Sequence, residues 1–475
     1  MSRCPQLASV QASAWTLAAL ALVLGASCGA TVAPRADGGD PSVPTESIAA
    51  AATTGAPSPA TIGLSTTTAP IPDASAATDP PIDPIGPAAA LDDEVLVAAG
   101  ATLGRLGSNG AVRYLASPGV LSPDGRTVAT TTVSASTGDG DRTTLRLLDG
   151  GTGATRATGT LPGALVPSLV GPQYVVLVAA ADVQAVTAPG TVAPGRSTTR
   201  LVLADATTGA LAHEWNLPGN FVPEAFSPVL GAVVVIEYLP AMAPTSYRVR
   251  TVDARIGGIS LPAAWQDKSP TVDEVMTASG RTHVLSPSGE VLYTLYRSTA
   301  DSVDPGHAFI HTLGLDFARV FCLDLPDEIG FADHAGAVGV APDGTVVYAV
   351  NSAGRLVEVV SHGETLGSGG PPAVGRVVSI GMGSDGAPAI AVDPKRVWVA
   401  LGHDVVEVDR TTLAVVSRVS LPFAASALAA GPGGATGGPL AAGDGRLARL
   451  SGAGGWQPIG DLPTRLGAPT WLALP

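Results

Sequence analysis

Leu145–Pro162 reads LRLLDGGTGATRATGTLP: an apolar run ending in Asp149, a short turn, a second run, and Leu-Pro. The same phrase returns as LVLADATTGALAHEWNLP from Leu201 to Pro218 and as VVEVDRTTLAVVSRVSLP from Val405 to Pro422, with 13 residues from Asp to Pro each time. Constant spacing at three distant places is the mark of a repeated supersecondary unit. Upstream lies a second recurring piece, a Pro-containing turn feeding a strand. It reads SPDG-RTVATTTV from Ser122, SPSG-EVLYTLY from Ser286, APDG-TVVYAV from Ala341 and DPK-RVWVAL from Asp393, with a looser copy, FSPVLG-AVVVIEY, from Phe226. Pro presets φ and Gly supplies the left-handed position, so these are β-turns, and the Val, Tyr, Trp and Thr that follow are strand formers.

Joined together, the pieces give four short antiparallel strands per unit of 40 to 60 residues, which is a β-propeller blade. Turns at 122, 227, 286, 341 and 393 are separated by 105, 59, 55 and 52 residues, and the first gap holds a degenerate copy, VPSLVGPQYVVLV, from Val166 to Val178. A further unit lies in the Gly-rich stretch 425–463. Three strand-like pieces near EVLVAAG, ATLGRL and AVRYLA lack an opening strand, while Pro469–Pro475 (PTWLALP) is a strand without a blade. Pairing the C-terminal piece into the N-terminal blade closes the ring and removes its free edges. The expectation is therefore an all-β chain of eight four-stranded blades, seven if one degenerate unit is a loop, sharing a continuous apolar interior. Only 4% of residues are aromatic while 45% are hydrophobic, so small and β-branched side chains on closely spaced backbones build that interior.

The segment DPKRVWVALGHDVVEVDRTTLAVVSRVSLP resembles the YVTN-type and WD40-like propellers of exported bacterial proteins, and the resemblance extends from about residue 92 to the end. It implies the fold; propellers host scaffolds, ligand binders, lactonases and dehydrogenases alike.

Residues 1–28 read as an export signal, with Arg3 near the start and an apolar stretch from Ala14 to Ala26, shorter than the about 20 residues of a membrane-spanning helix. Leu24-Gly25-Ala26-Ser27-Cys28-Gly29 resembles a bacterial lipoprotein signal, with Leu24 one place earlier than that family's usual Leu. The resemblance implies lipidation of Cys28 and anchoring at the cell membrane on its outer side, simple secretion being the alternative. Residues 29–90 are Pro, Thr, Ala, Ser and Gly with almost no aliphatic periodicity, and are expected to be a disordered linker. A coil of that length spans roughly 40 to 50 Å, enough to hold a domain of residues 91–475 clear of a lipid surface.

A net charge of −14 without a Lys/Arg cluster argues against nucleic acid. With Cys4 and Cys28 in the signal segment, Cys322 is the one thiol of the folded body, where no disulfide can form and where Val320-Phe321-Cys322-Leu323 reads as buried strand.

Candidate chemical groups each have a plainer role. Asp149, Asp205, Asp253 and Asp409 close strands before Gly, Thr or Arg and suit the capping of nearby backbone N–H groups, as do Asp124 and Asp343. Gly138-Asp139-Gly140-Asp141 lacks the remaining ligands of a calcium loop. His307 and His311 pair as ligands only on a helix; in a strand they stand about 13 Å apart. His213, His283, His334, His362 and His403 are scattered singly; each could line a central channel, but a surface or loop position suits them better.

Neither a nucleophile elbow, a Walker loop nor a His-Glu-x-x-His motif occurs, so no catalytic, cofactor-binding or metal residue is nominated. The expected function is that of a tethered, monomeric, non-catalytic propeller binding a protein or an envelope component. The long insertions at Ala179–Thr199 and Ser298–His307 are expected to project from one end of the ring. The rival is an exported enzyme resembling propeller lactonases or quinone-dependent dehydrogenases. Three or more Asp, Glu, Asn or His side chains converging on the axis favour it, whereas a channel of Ser, Thr and Ala favours the binder. A sugar-binding propeller would need exposed loop aromatics, which are scarce.

Overall fold

Each Asp-to-Pro phrase folds as a strand, a tight turn and a second strand. Arg142–Asp149 pairs antiparallel with Thr155–Pro162, Thr198–Asp205 with Leu211–Pro218, and Asp404–Asp409 with Val415–Ser420. In the computed structural model the described residues are 95–473, apart from 100–101, 108–110, 136–139, 183–194, 228, 254–257, 261–264, 267–274, 278, 298–306, 316–318, 361–371, 382, 431–437, 451–454, 463–468 and 470. The expected signal segment and linker, His362, and most of the two long insertions lie outside the described residues.

The strands form eight sheets. Seven are made of consecutive strands, spanning 119–162, 165–218, 220–260, 265–325, 336–379, 389–420 and 427–461. The remaining sheet is completed across the length of the chain: Trp471–Ala473 pairs antiparallel with Val95–Ala99, with Val97 opposite Leu472, ahead of Thr102–Leu106 and Val112–Ala116. At most junctions the first strands of neighbouring sheets touch one another, so the first strand is innermost. We call the strands A to D from the axis outward, and number the blades 1 to 8 beginning with the one in which Trp471–Ala473 pairs with Val95–Ala99. The protein is an eight-bladed β-propeller, and the seven-blade alternative falls because the degenerate copy forms a full blade, opening with Leu165–Val170 and Tyr174–Ala179.

Burial follows position in the blade. B strands are sandwiched between neighbouring blades and buried nearly throughout, as in Val291–Arg297 and Arg396–Leu401, whereas D strands alternate with solvent, as in Leu211–Pro218. In place of one continuous interior the apolar residues form eight clusters, each shared by two adjacent blades. The cluster between blades 8 and 1 joins Val95, Val97 and Leu106 to Ala427, Leu440 and Leu447. A sheet buried on both faces can meet a different neighbour on each, and this separates the interior into wedges.

Small residues let the wedges close. A Cβ built on Gly159, in strand D of blade 2, would lie 1.9 Å from the Gly209 carbonyl oxygen in the C–D turn of blade 3. The backbones touch there, and only glycine fits.

Blade 5 departs from the four-stranded pattern. Trp265–Gln266 adds a fifth strand, parallel to its outer strand Arg319–Leu325. Its short sequence carries no alternation long enough to mark a strand.

Candidate functional site

The connections sort onto two faces. A–B and C–D turns lie together: Gly150 N–H donates to Arg126 O (2.8 Å), Ala206 to Gln173 (2.9 Å), Leu315 to Glu290 (2.7 Å) and Arg410 to Lys395 (3.0 Å). On the opposite face B–C loops meet D–A connections: Gly163 N–H donates to Asp141 O (2.7 Å), Gly219 to Ser197 (2.8 Å), Ile380 to Gly354 (2.8 Å) and Leu421 to His403 (2.6 Å).

The A–B/C–D face holds the repeated carboxylates, and Asp149, Asp205 and Asp409 are each engaged by their own turn. Asp205 Oδ1 accepts from Thr207 N–H (2.9 Å), Thr208 N–H (2.7 Å) and the Thr208 hydroxyl (2.9 Å); Asp149 and Asp409 repeat the network through Thr152 and Thr412. The Thr208 N–H and hydroxyl and the Thr207 N–H hold the Asp205 carboxyl below the usual carboxylate range. Partial burial raises Asp149, but the Thr152 bonds and the Arg156 guanidinium bring it below that range as well. Arg396 pairs with Asp409 in blade 7. Asp124 accepts from the Ser122 hydroxyl (2.6 Å) and Arg126 N–H (3.1 Å), and Asp343 from Thr345 (2.7 Å to the hydroxyl), so both cap their turns. Asp253 ends strand C of blade 4, and the turn after it lies outside the described residues. The capping expected from sequence is what the described turns perform.

The innermost strands are written largely in small apolar residues: GVL, LVPSLV, GAVGV, AIAV and ALA in blades 2, 3, 6, 7 and 8. The ionisable residues that blades 4 and 5 add to this inner layer are Glu224, Arg281 and His283. Among the described residues no group of three or more His, Cys, Asp or Glu is arranged to hold a metal.

The histidines are separated. His307 and His311 flank and occupy the extended strand Ala308–Gly314. His307 lies 3.1 Å from Asp324 and 3.4 Å from Asp327, while buried His311 meets the edge of Tyr296. His213 stacks on Trp215 on the outer strand of blade 3, ring centroids 5.5 Å apart. His283, expected at a surface or loop, sits on an innermost strand. Asp141 closes a loop through its carbonyl, whereas Gly138 and Asp139 lie outside the described residues. Cys322 is a half-buried thiol in no disulfide among the described residues, on an outer strand, less enclosed than its apolar neighbours imply because outer strands face solvent on one side.

On the B–C/D–A face a cleft of about 490 Å³ opens beside blade 6. It is built where three chain segments meet: the connections 326–335 and 380–388 and the B–C turn after Asn351. Ser352 is the hinge of this arrangement, its N–H donating to Ala335 O (2.7 Å) and its carbonyl accepting from Ser384 N–H (2.7 Å). Asp333, His334 and Asp385 are exposed residues of its lining, and Ser352, only 6% exposed, lines it as well. Sequence reading marks His334 as a lone surface residue and misses the rest. The available signal is connection length: 326–335 and 380–388 are far longer than 163–164 or the single Gly219 elsewhere on this face.

No protein-family model matches the chain, and no curated protein does. Among solved structures it is similar to BamB of Moraxella catarrhalis (15% identity, 77% of this chain and 92% of that one, TM-score 0.38). It is also similar to Sqt1 of Saccharomyces cerevisiae (11%, 71% and 83%, 0.43) and to the dihydro-heme d1 dehydrogenase NirN (15%, 82% and 76%, 0.42).

Proposed function

We propose that the protein is a non-catalytic binding propeller that recognises another protein or an envelope component through its B–C/D–A face. One observation carries this reading. That face carries the polar cleft at blade 6 and is where the B strands of blades 3 and 5 end, at Ala179 and Arg297, and their C strands begin, at Thr198 and Ala308, while the carboxylates of Asp149, Asp205 and Asp409 on the opposite face are committed to their own turns. Loops raised on a rigid scaffold are where binding surfaces are commonly built. In this reading Cys28 carries the lipid, residues 29–90 form the tether, and the ring works as a monomer at the outer side of the cell membrane.

Two experiments test it. Metabolic labelling with a fatty-acid analogue should mark the wild-type chain and not Cys28→Ala; equal labelling of both removes the anchor. Cross-linking the full chain in envelope preparations, with photoreactive residues placed at 181 or at 207, should capture a defined partner from position 181 on the B–C side and not from 207. Capture from 207 alone assigns recognition to the wrong face.

A further inference from the structure

The blade 6 cleft has a chemical signature of its own. Its polar lining comprises two carboxylates (Asp333, Asp385), one imidazole (His334) and two hydroxyls (Ser352, Ser384), with neither lysine nor arginine. The side chains of Asp333, His334, Ser352 and Asp385 form no hydrogen bond or ion pair among the described residues. Water satisfies the exposed ones. Ser352 is only 6% exposed and its backbone groups are engaged by Ala335 and Ser384, which leaves its hydroxyl as its uncommitted polar group. A hydroxyl on a nearly buried residue, lining the same cleft as two carboxylates with open acceptor sites, is complementary to a cation that carries several N–H donors.

We infer that this cleft binds an arginine side chain presented by a peptide segment of the partner, a reading that rests on the proposed binding role of this face. A guanidinium offers a planar fork of donors able to serve carboxylates from two different connections at once, which the compact ammonium of lysine cannot do as well. The cleft has room for on the order of sixteen waters' share of liquid volume, enough for the long aliphatic stem and residual water around it. The chain's charge of −14 attracts such a segment from a distance. Free arginine carries an α-ammonium and an α-carboxylate where the peptide has neutral amides, so it is the control for recognition of the side chain within a peptide segment.

The test is a calorimetric titration of the full chain with three probes: the capped tripeptide acetyl-Gly-Arg-Gly-amide, its citrulline counterpart and free arginine. The arginine peptide should bind, the citrulline peptide about tenfold or more weakly, and the binding should weaken as salt rises. Asp333→Asn/Asp385→Asn should abolish the preference for arginine over citrulline. Ser352→Ala should weaken the arginine peptide several-fold with an unchanged thermal midpoint. No binding of the arginine peptide, equal binding of citrulline, tighter binding of free arginine, or full affinity in the double Asn variant overturns the assignment. If any of these occurs while residue 181 still captures a partner, the binding role of the face survives and only the arginine site is lost.

Discussion

A buried threonine at the start of two Asp-to-Pro phrases joins one blade to the next. Thr143 is fully enclosed; its hydroxyl donates to Gly163 O (2.6 Å) and accepts from Leu165 N–H (2.8 Å), tying the exit of blade 2 to the entry of blade 3. Thr199 makes the same pair of bonds to Gly219 O and Phe221 N–H (both 2.9 Å). At the matching position of blade 7 stands His403, whose Nδ1 reaches Leu421 O at 3.2 Å. Thr143→Val keeps the shape and leaves a buried carbonyl and N–H without their partner, so chemical denaturation should record a loss of about 1–3 kcal/mol; an unchanged midpoint would show the latch to be idle. The capping aspartates set a pH dependence. Their folded pKa values are depressed, so the stability they contribute is complete above the ordinary carboxylate pKa and is lost as pH falls through the depressed values. Asp205→Asn should therefore flatten the acid limb of the stability-against-pH curve, and an acid limb identical to wild type would remove that role.

At the scale of the element, blades are joined by backbone proximity as well as by apolar wedges. Gly159→Ala forces a methyl group into the Gly209 carbonyl, and either strand D of blade 2 or the turn of blade 3 must shift, at a cost of about 1–3 kcal/mol by equilibrium unfolding. A substitution without effect there would mean that the two backbones do not touch. Leu413 holds φ +55° at the turn position where Gly153 and Gly209 hold +72°, and it does so while buried between blades 6 and 7. The turns and outer strands were legible because they depend on chemistry local in sequence: Pro-Asp-Gly geometry, an Asp beside Thr or Gly, and alternation along one strand. Thr143 escaped notice because its partners belong to the connection into the next blade, some twenty residues on, and Thr is common in strands in any case. Trp265–Gln266 escaped because a two-residue parallel strand has no period to read. The cleft was illegible for a further reason. Asp333, Ser352 and Asp385 are separated by whole strands, and ring geometry brings their connections to one place.

At the scale of the whole molecule, eight clusters between eight blades mean that no blade has a free apolar face, provided the last strand reaches the first blade. That strand is three residues long, Trp471–Ala473, and its pairing with Val95–Ala99 is the contact that converts a row of sheets into a ring. Val97 and Leu472 face each other across this antiparallel pair, and such partners have Cα atoms within the span a disulfide bridges, about 4.4–6.8 Å. The decisive measurement is therefore peptide mapping of the oxidised Val97→Cys/Leu472→Cys chain in a Cys322→Ser background. A closed eight-bladed ring gives a disulfide joining positions 97 and 472 in a chain that remains monomeric and folded. An oxidised chain in which those two thiols stay free, or in which position 472 links one chain to another, would mean that the ring is open and the blade order wrong.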